Sequence, residues 1–113
     1  MREVLNELRS VGEISSAAVV SRSGMIIDGD APDFIHVETF GAMMAIMLGA
    51  AETATAESQG SLRFINVELS DANLIITGAG QRVLLACLVK DREKLPQVVP
   101  FIEEAARRLK AIV

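Results

Sequence analysis

The stretch FGAMMAIMLGAAETATA, Phe40 to Ala56, decides the fold. It carries no polar side chain before Glu52. Alanine and methionine favour helix, and no proline interrupts the run. On a helix, Phe40, Met44, Met47 and Ala51 form one apolar stripe. Gly41, Ala45 and Leu48 form a second stripe beside it, and Ala42, Ile46 and Gly49 a third. An ordinary surface helix keeps a polar side, whereas a helix apolar all round must be covered on more than one side. A sheet covers only one. Leaving several Met, Ile and Leu side chains in water forgoes about 1.5–3 kcal/mol each, and it exposes the kind of contiguous patch that marks an interaction site. Gly41, Ala45 and Gly49 recur at a helical spacing that lets another backbone come close. The helix is either buried within its own subunit or faces the same helix of a second copy. The second reading is the expectation carried forward, because two-fold pairing is the commonest route to homo-oligomers. Its interface residues are Phe40, Gly41, Met44, Ala45, Met47, Leu48 and Gly49.

Working outward, the helix is predicted from about Asp33 to Ser58, with Asp33 as N-cap and Gly60 as its C-terminal stop. Upstream, Met1, Leu5, Leu8 and Val11 keep helical spacing and predict an opening amphipathic helix closed near Gly12. Ile14 to Ser21 reads as a strand, Arg22-Ser23-Gly24 as a turn and Met25 to Ile27 as the return strand of a hairpin. Asp28 to Asp33 is a loop by composition. Downstream, Leu62 to Leu69 is a strand that places Arg63, Ile65, Val67 and Leu69 on one face. Leu74 to Thr77 is a second strand, followed by a Gly78-Ala79-Gly80 turn. Val83 to Val89 is apolar on both faces, as strands in the middle of a covered sheet are. A last helix starts near Asp91, with Pro96 and Pro100 in its first turns or kinking it. The order is α-β-β-α-β-β-β-α. Hairpin connections make the sheet mainly antiparallel, so the class is α+β.

Half of the 113 residues are hydrophobic, enough for the core of one compact domain spanning 1–113. The net charge is −4. An acidic surface repels phosphate backbones and argues against a nucleic-acid partner. The basic cluster Arg107, Arg108 and Lys110 sits beside Glu103 and Glu104 and reads as a solvated helix face. Cys87 is the sole cysteine, so no internal disulfide is possible. The N-terminus has no apolar signal core. The apolar run Phe40 to Ala51 falls short of the roughly 20 residues a membrane span needs. A cytoplasmic location is the default expectation.

Catalytic and ligand motifs are sparse. His36-Val37-Glu38 matches the H-x-E fragment of zinc deaminases, but the required cysteine pair is missing. Gly78-Ala79-Gly80 lacks the third glycine of a dinucleotide fingerprint and leads into a strand rather than a helix. Asp28, Asp30 and Asp33 do not meet the calcium-loop pattern. No nucleophile elbow is present. No metal, cofactor or catalytic residue is therefore expected, and the chain is read as a non-enzyme. Cys87, in an apolar strand, is most simply a small core residue.

The ordered set of segments resembles the Roadblock/dynein light chain family. The opening helix runs into Val11-Gly12-Glu13-Ile14, followed by Ala18-Val19-Val20-Ser21-Arg22-Ser23-Gly24-Met25-Ile26-Ile27. This resembles the family's hairpin, with Ser23 where Asp is common and Ser15-Ser16 where glycine often stands. The small-residue helix, Val67-Glu68-Leu69, Leu74-Ile75-Ile76 and Leu84-Leu85-Ala86 complete the likeness. The resemblance implies a five-stranded antiparallel sheet between helices, of Roadblock/profilin-like architecture, with the second helix alone on one face. It implies a homodimer through that helix and the following edge strand, which adds Phe64, Ile65 and Val67 to the interface. Family members serve as platforms or regulators of Ras-like small GTPases, and a bacterial member activates GTP hydrolysis by a polarity GTPase. Arg22, Arg63 and Arg82 are the arginines near strands that such a role raises, and solvated positions are the simpler reading for all three. The alternative function is a profilin-like small-molecule sensor, with an apolar pocket beside Met43, Met44 and Met47.

Overall fold

The structure, a computed structural model, describes residues 1–33 and 35–113. The elements run α1 (Arg2–Arg9), β1 (Ile14–Ser21), β2 (Ile26–Gly29), α2 (Val37–Ala54), β3 (Ile65–Glu68), β4 (Asn73–Ala79), β5 (Val83–Val89) and α3 (Leu95–Ile112), with a 3-10 turn at Arg92–Lys94 before α3. The five strands form one sheet in the order β2-β1-β5-β4-β3. Every pairing is antiparallel. The α+β class and the sandwich of sheet between helices are as the sequence predicts.

β5 lies at the centre, and all seven of its residues are buried. Its alternate side chains feed two cores, as the two-residue period of a strand requires. Val83, Leu85, Cys87 and Val89 join Ala17, Val19 and Ile75 beneath α1 and α3. Leu84, Ala86 and Leu88 join Ala18, Val20, Leu74 and Ile76 beneath α2, which contributes Phe40, Met44 and Leu48. Two helices therefore cover one face and α2 alone covers the other. Arg108 reaches Glu7 and ties α3 to α1, while Arg107 pairs with Glu104 within α3. The basic cluster is thus partly spent on ion pairs.

Several boundaries differ from the sequence reading. α2 begins at Val37 with His36 as its N-cap, and no side chain caps it. Asp33 sits in a turn ahead of it, and Phe34, inside the expected span, lies outside the described residues. α2 ends at Ala54 rather than Ser58, well short of Gly60. The Thr53 and Thr55 hydroxyls donate to the carbonyls of Gly49 and Ala51, which competes with continued helix at that end. β2 is shifted to Ile26–Gly29 by a register irregularity opposite Val19 and Val20. β4 continues through Gly78 and Ala79, so the turn falls at Gly80-Gln81-Arg82. α3 starts at Leu95, with Pro96 in its first turn and Pro100 one turn further in. The missing N–H of Pro100 leaves the Pro96 carbonyl without its ladder donor.

β3 shows why alternation misleads at a strand end. Ladder pairing starts only at Ile65. Before it, the Arg63 carbonyl accepts from Thr77 Oγ1 at 2.8 Å. The Arg63 guanidinium reaches Glu103 of α3 through two hydrogen bonds, 2.7 and 3.0 Å, instead of sharing a face with Ile65. That contact holds the Glu103 carboxyl below the usual carboxylate range.

Candidate interaction surface

α2 presents its sides unequally. Phe40, Gly41, Met44 and Leu48 face the sheet and are buried. The opposite side carries Met43, Ile46 and Ala50, a stripe at helical spacing. Met43 is 45% exposed and Ile46 is 60% exposed. Val37, in the first turn, adds 54%. Ala42, Ala45, Met47, Gly49 and Ala51 flank the stripe, half-buried. The first polar side chains on this outer surface are Thr39 before the stripe and Glu52 and Thr53 after it. The sheet covers one side of an all-apolar helix, and no other element of the described residues covers the other.

The glycines of α2 play different parts. A Cβ on Gly41 would fall under 3.0 Å from the Gly24 carbonyl oxygen and 3.5 Å from Ile26 Cγ1. Gly41 is therefore small for the sake of its own subunit, where the β1–β2 turn packs against the helix. Gly24 itself takes a φ of +99° there, which glycine adopts at no steric cost. A Cβ on Gly49 meets nothing within 4 Å. Of the small-residue spacing read from the sequence, only Ala45 and Gly49 still leave room for an outside backbone.

The remaining residues named from the sequence divide as follows. Ile65 and Val67 sit on edge strand β3 and pack, partly buried, against the α2 core. Phe64 packs against the opposite core, under α3, because pleating sends it to the other face. Phe40, Gly41, Met44 and Leu48 already have their cover from the sheet. Met43, Ile46 and Ala50, none of them in the stripe of Phe40, Met44 and Met47, form the outermost line. The helical angle at which the sheet is met decides this, and the apolar sequence carries no polar residue to mark it.

At the C-terminal end of α2, Arg22 donates to Glu52 at 2.7 Å and to the Gly80 carbonyl at 2.7 Å. It binds the β1–β2 turn, α2 and the β4–β5 turn together. The absence of a Cβ at Gly78, whose Cβ would lie 2.9 Å from Arg22 Nη2, makes room for it. Arg82 is exposed and makes no ion pair among the described residues. Two of the three aspartates named from the sequence are likewise engaged: Asp28 pairs with Arg2 at 2.9 Å and Asp30 with Arg9 at 3.1 Å. Among the described residues no cluster of three or more His, Cys, Asp or Glu is arranged to hold a metal ion. None of their helices is long and apolar enough to cross a membrane. Burial pushes the Cys87 thiol far up, out of the range where a reactive thiolate forms.

The family model described as the Roadblock/LC7 domain matches residues 1–89, from the start of α1 to the end of β5. The chain belongs to the Roadblock/LC7 family. The solved structures agree in fold. Myxococcus xanthus MglB superposes with a TM-score of 0.84 at 20% identity, over 97% of this chain and 91% of that one. A structure described as MglB with tetrameric arrangement gives 0.82 at 19% identity, over 98% and 85%. Acanthamoeba castellanii profilin II gives 0.69 at 15% identity, over 99% and 97%. At these identities the likeness is one of fold. No match was found among curated protein sequences. The Roadblock match stops before α3, the helix that, with α1, closes the face opposite α2.

Proposed function

We propose that this Roadblock/LC7 chain is a self-associating platform that docks a Ras-like small GTPase and regulates it, without chemistry of its own. The observation that carries the reading is the outer stripe of α2, with Met43 45% and Ile46 60% exposed on a helix that offers water no polar side there. Burying such side chains is worth about 1.5–3 kcal/mol each when complete. A second copy of α2 supplies an equally apolar surface, and Ala45 and Gly49 leave space for it. β3 lies at the free edge of the sheet next to this face. Unpaired strand edges are sites of added pairing, so Ile65 and Val67 would border the same seam. The tetrameric arrangement of the MglB structure is consistent with a fold that assembles through its own surfaces.

The GTPase part rests on family membership. Arg22 and Arg63 are held in ion pairs with Glu52 and Glu103. That argues against an arginine inserted into a nucleotide site from either of these two positions. The sensor alternative needs an apolar cavity beside Met43, Met44 and Met47, and no observation among the described residues favours one.

The test is capture of a Ras-like GTPase, from the same genome, on the immobilised chain. The GTPase is loaded with GDP or with a non-hydrolysable GTP analogue. The expected result is retention that differs between the two nucleotide states. Absence of retention in both states removes the GTPase from the proposal and leaves self-association alone.

A further inference from the structure

A cavity of about 420 Å³ opens on the α2 side of the sheet, ahead of the helix rather than along it. It lies within the range of about 300–1,000 Å³ typical of small-molecule sites, near the lower end. Its depth is apolar and buried: Leu88 of β5, Ala72 before β4, and Ala31 and Pro32 of the loop that leads to α2. Into this floor β1 places Ser16, which is 5% exposed. The neighbouring Ser15 hydroxyl donates to the Leu88 carbonyl. The Ser16 hydroxyl has no hydrogen-bond partner among the described residues. Its oxygen is not sealed from solvent, so it opens onto the cavity, where a water or a polar ligand atom can pair with it. Here the open side of the cavity is where that partner would sit.

The rim carries charges of both signs. Asp30 is taken up by Arg9. Asp33 and Asp71 on two different loops, and Lys90 at the end of β5, line the cavity and make no ion pairs among the described residues. A purely anionic ligand would be repelled by the two aspartates, and a purely cationic one by the lysine. A small ligand with both an ammonium and a carboxylate satisfies all three.

We propose that this cavity binds a small zwitterion of the free amino acid class. Its ammonium faces Asp33 and Asp71 and its carboxylate faces Lys90. Its short body lies on Ala31, Ala72 and Leu88, and it meets the Ser16 hydroxyl. The site uses none of the outer stripe of α2, so it stands or falls independently of self-association and of GTPase docking.

The experiment is an amide-resonance titration of the isotope-labelled full chain with each of the twenty common amino acids in turn. The amide and the N-acetyl derivative of the best binder follow. The expected result is saturable shifts at Ser16, Ala72, Leu88 and Lys90 for at least one amino acid. Loss of either charge on the ligand should weaken binding by about tenfold or more. Ser16→Ala and Lys90→Gln should each weaken it as well. Lys90 is exposed, so its variant keeps the test valid if Ser16→Ala unfolds. No saturable shift with any amino acid overturns the proposal, as do shifts confined to Met43–Ala50. Equal binding of the amide and the free acid overturns the zwitterion assignment.

Discussion

Replacing each of two glycines on α2 by alanine should shift stability in opposite directions. In a helix interior alanine is favoured over glycine by about 0.8–1 kcal/mol. At Gly49 nothing lies within 4 Å of the added methyl, so Gly49→Ala should gain most of that amount in the isolated subunit. At Gly41 the methyl meets the Gly24 backbone carbonyl at under 3.0 Å. Backbone on both sides of that contact has no rotamer to change. Overpacking costs about 1–3 kcal/mol, and so short a contact with backbone belongs in the upper part of that range, about 2–3 kcal/mol, so Gly41→Ala should lose about 1–2 kcal/mol after the propensity gain. The separation between the two variants is then about 2–3 kcal/mol. With a urea m-value of about 1–3 kcal/mol/M for a chain of this size, the midpoints should differ by about 1 M or more. The assay is urea unfolding followed by far-ultraviolet circular dichroism, since the chain has no Trp or Tyr. Running it at two protein concentrations separates the subunit's own stability from any contribution of assembly, which depends on concentration. A Gly41→Ala variant as stable as Gly49→Ala would refute the assignment of Gly41 to the packing of its own hairpin.

Leu48→Ala and Ile46→Ala test which side of α2 is inside. Leu48 is 1% exposed, and its truncation should cost about 2–5 kcal/mol, whereas Ile46→Ala should leave the isolated subunit within about 0.5 kcal/mol of wild type. Arg63→Gln should raise the titration of Glu103 toward the ordinary glutamate value near 4.3, read by carboxyl chemical shift. Because the folded-state value is depressed, the Glu103 contribution to stability is present above about pH 4.3 and fades as pH falls through the depressed value. Arg63→Gln should flatten that part of the acid profile. Cys87 should react with thiol reagents only at the rate of unfolding. Rapid labelling of the native chain would contradict its place in the central strand.

Much of the fold is written plainly in the sequence, and the reasons are local. The run VLLACLV has no polar residue, so β5 belongs between two covered faces. The spacing of Leu5 and Leu8 gives α1 its buried side, which Val4 completes, and Arg22-Ser23-Gly24 supplies the turn chemistry of the first hairpin. What the sequence leaves open is orientation about an axis. Phe40 to Ala51 is apolar at every position, so periodicity has no polar marker from which to tell Met44 from Met43. The close approach of Gly41 to the Gly24 turn, with Phe40, Met44 and Leu48 buried beside it, marks which stripe meets the sheet. The start of α2 escapes the sequence for a related reason. Asp33 is chemically suited to cap a helix, yet α2 starts later, at His36, and runs without a side-chain cap because packing of Phe40, Met44 and Leu48 supplies its stability. At β3, alternation gives the right faces for Ile65 and Val67 and fails at Arg63, where an ion pair with α3 across the fold overrides it. The Ser16 cavity has no sequence signal at all, since its walls come from segments far apart in the chain.

The central claim is that the outer stripe of α2 joins two copies of this chain, and the mass in solution tests it most directly. Light scattering at tens of micromolar should give twice the chain mass for wild type and the single-chain mass for a folded Ile46→Glu variant. A wild type that stays at the single-chain mass, or an Ile46→Glu variant that remains fully dimeric, would contradict the account.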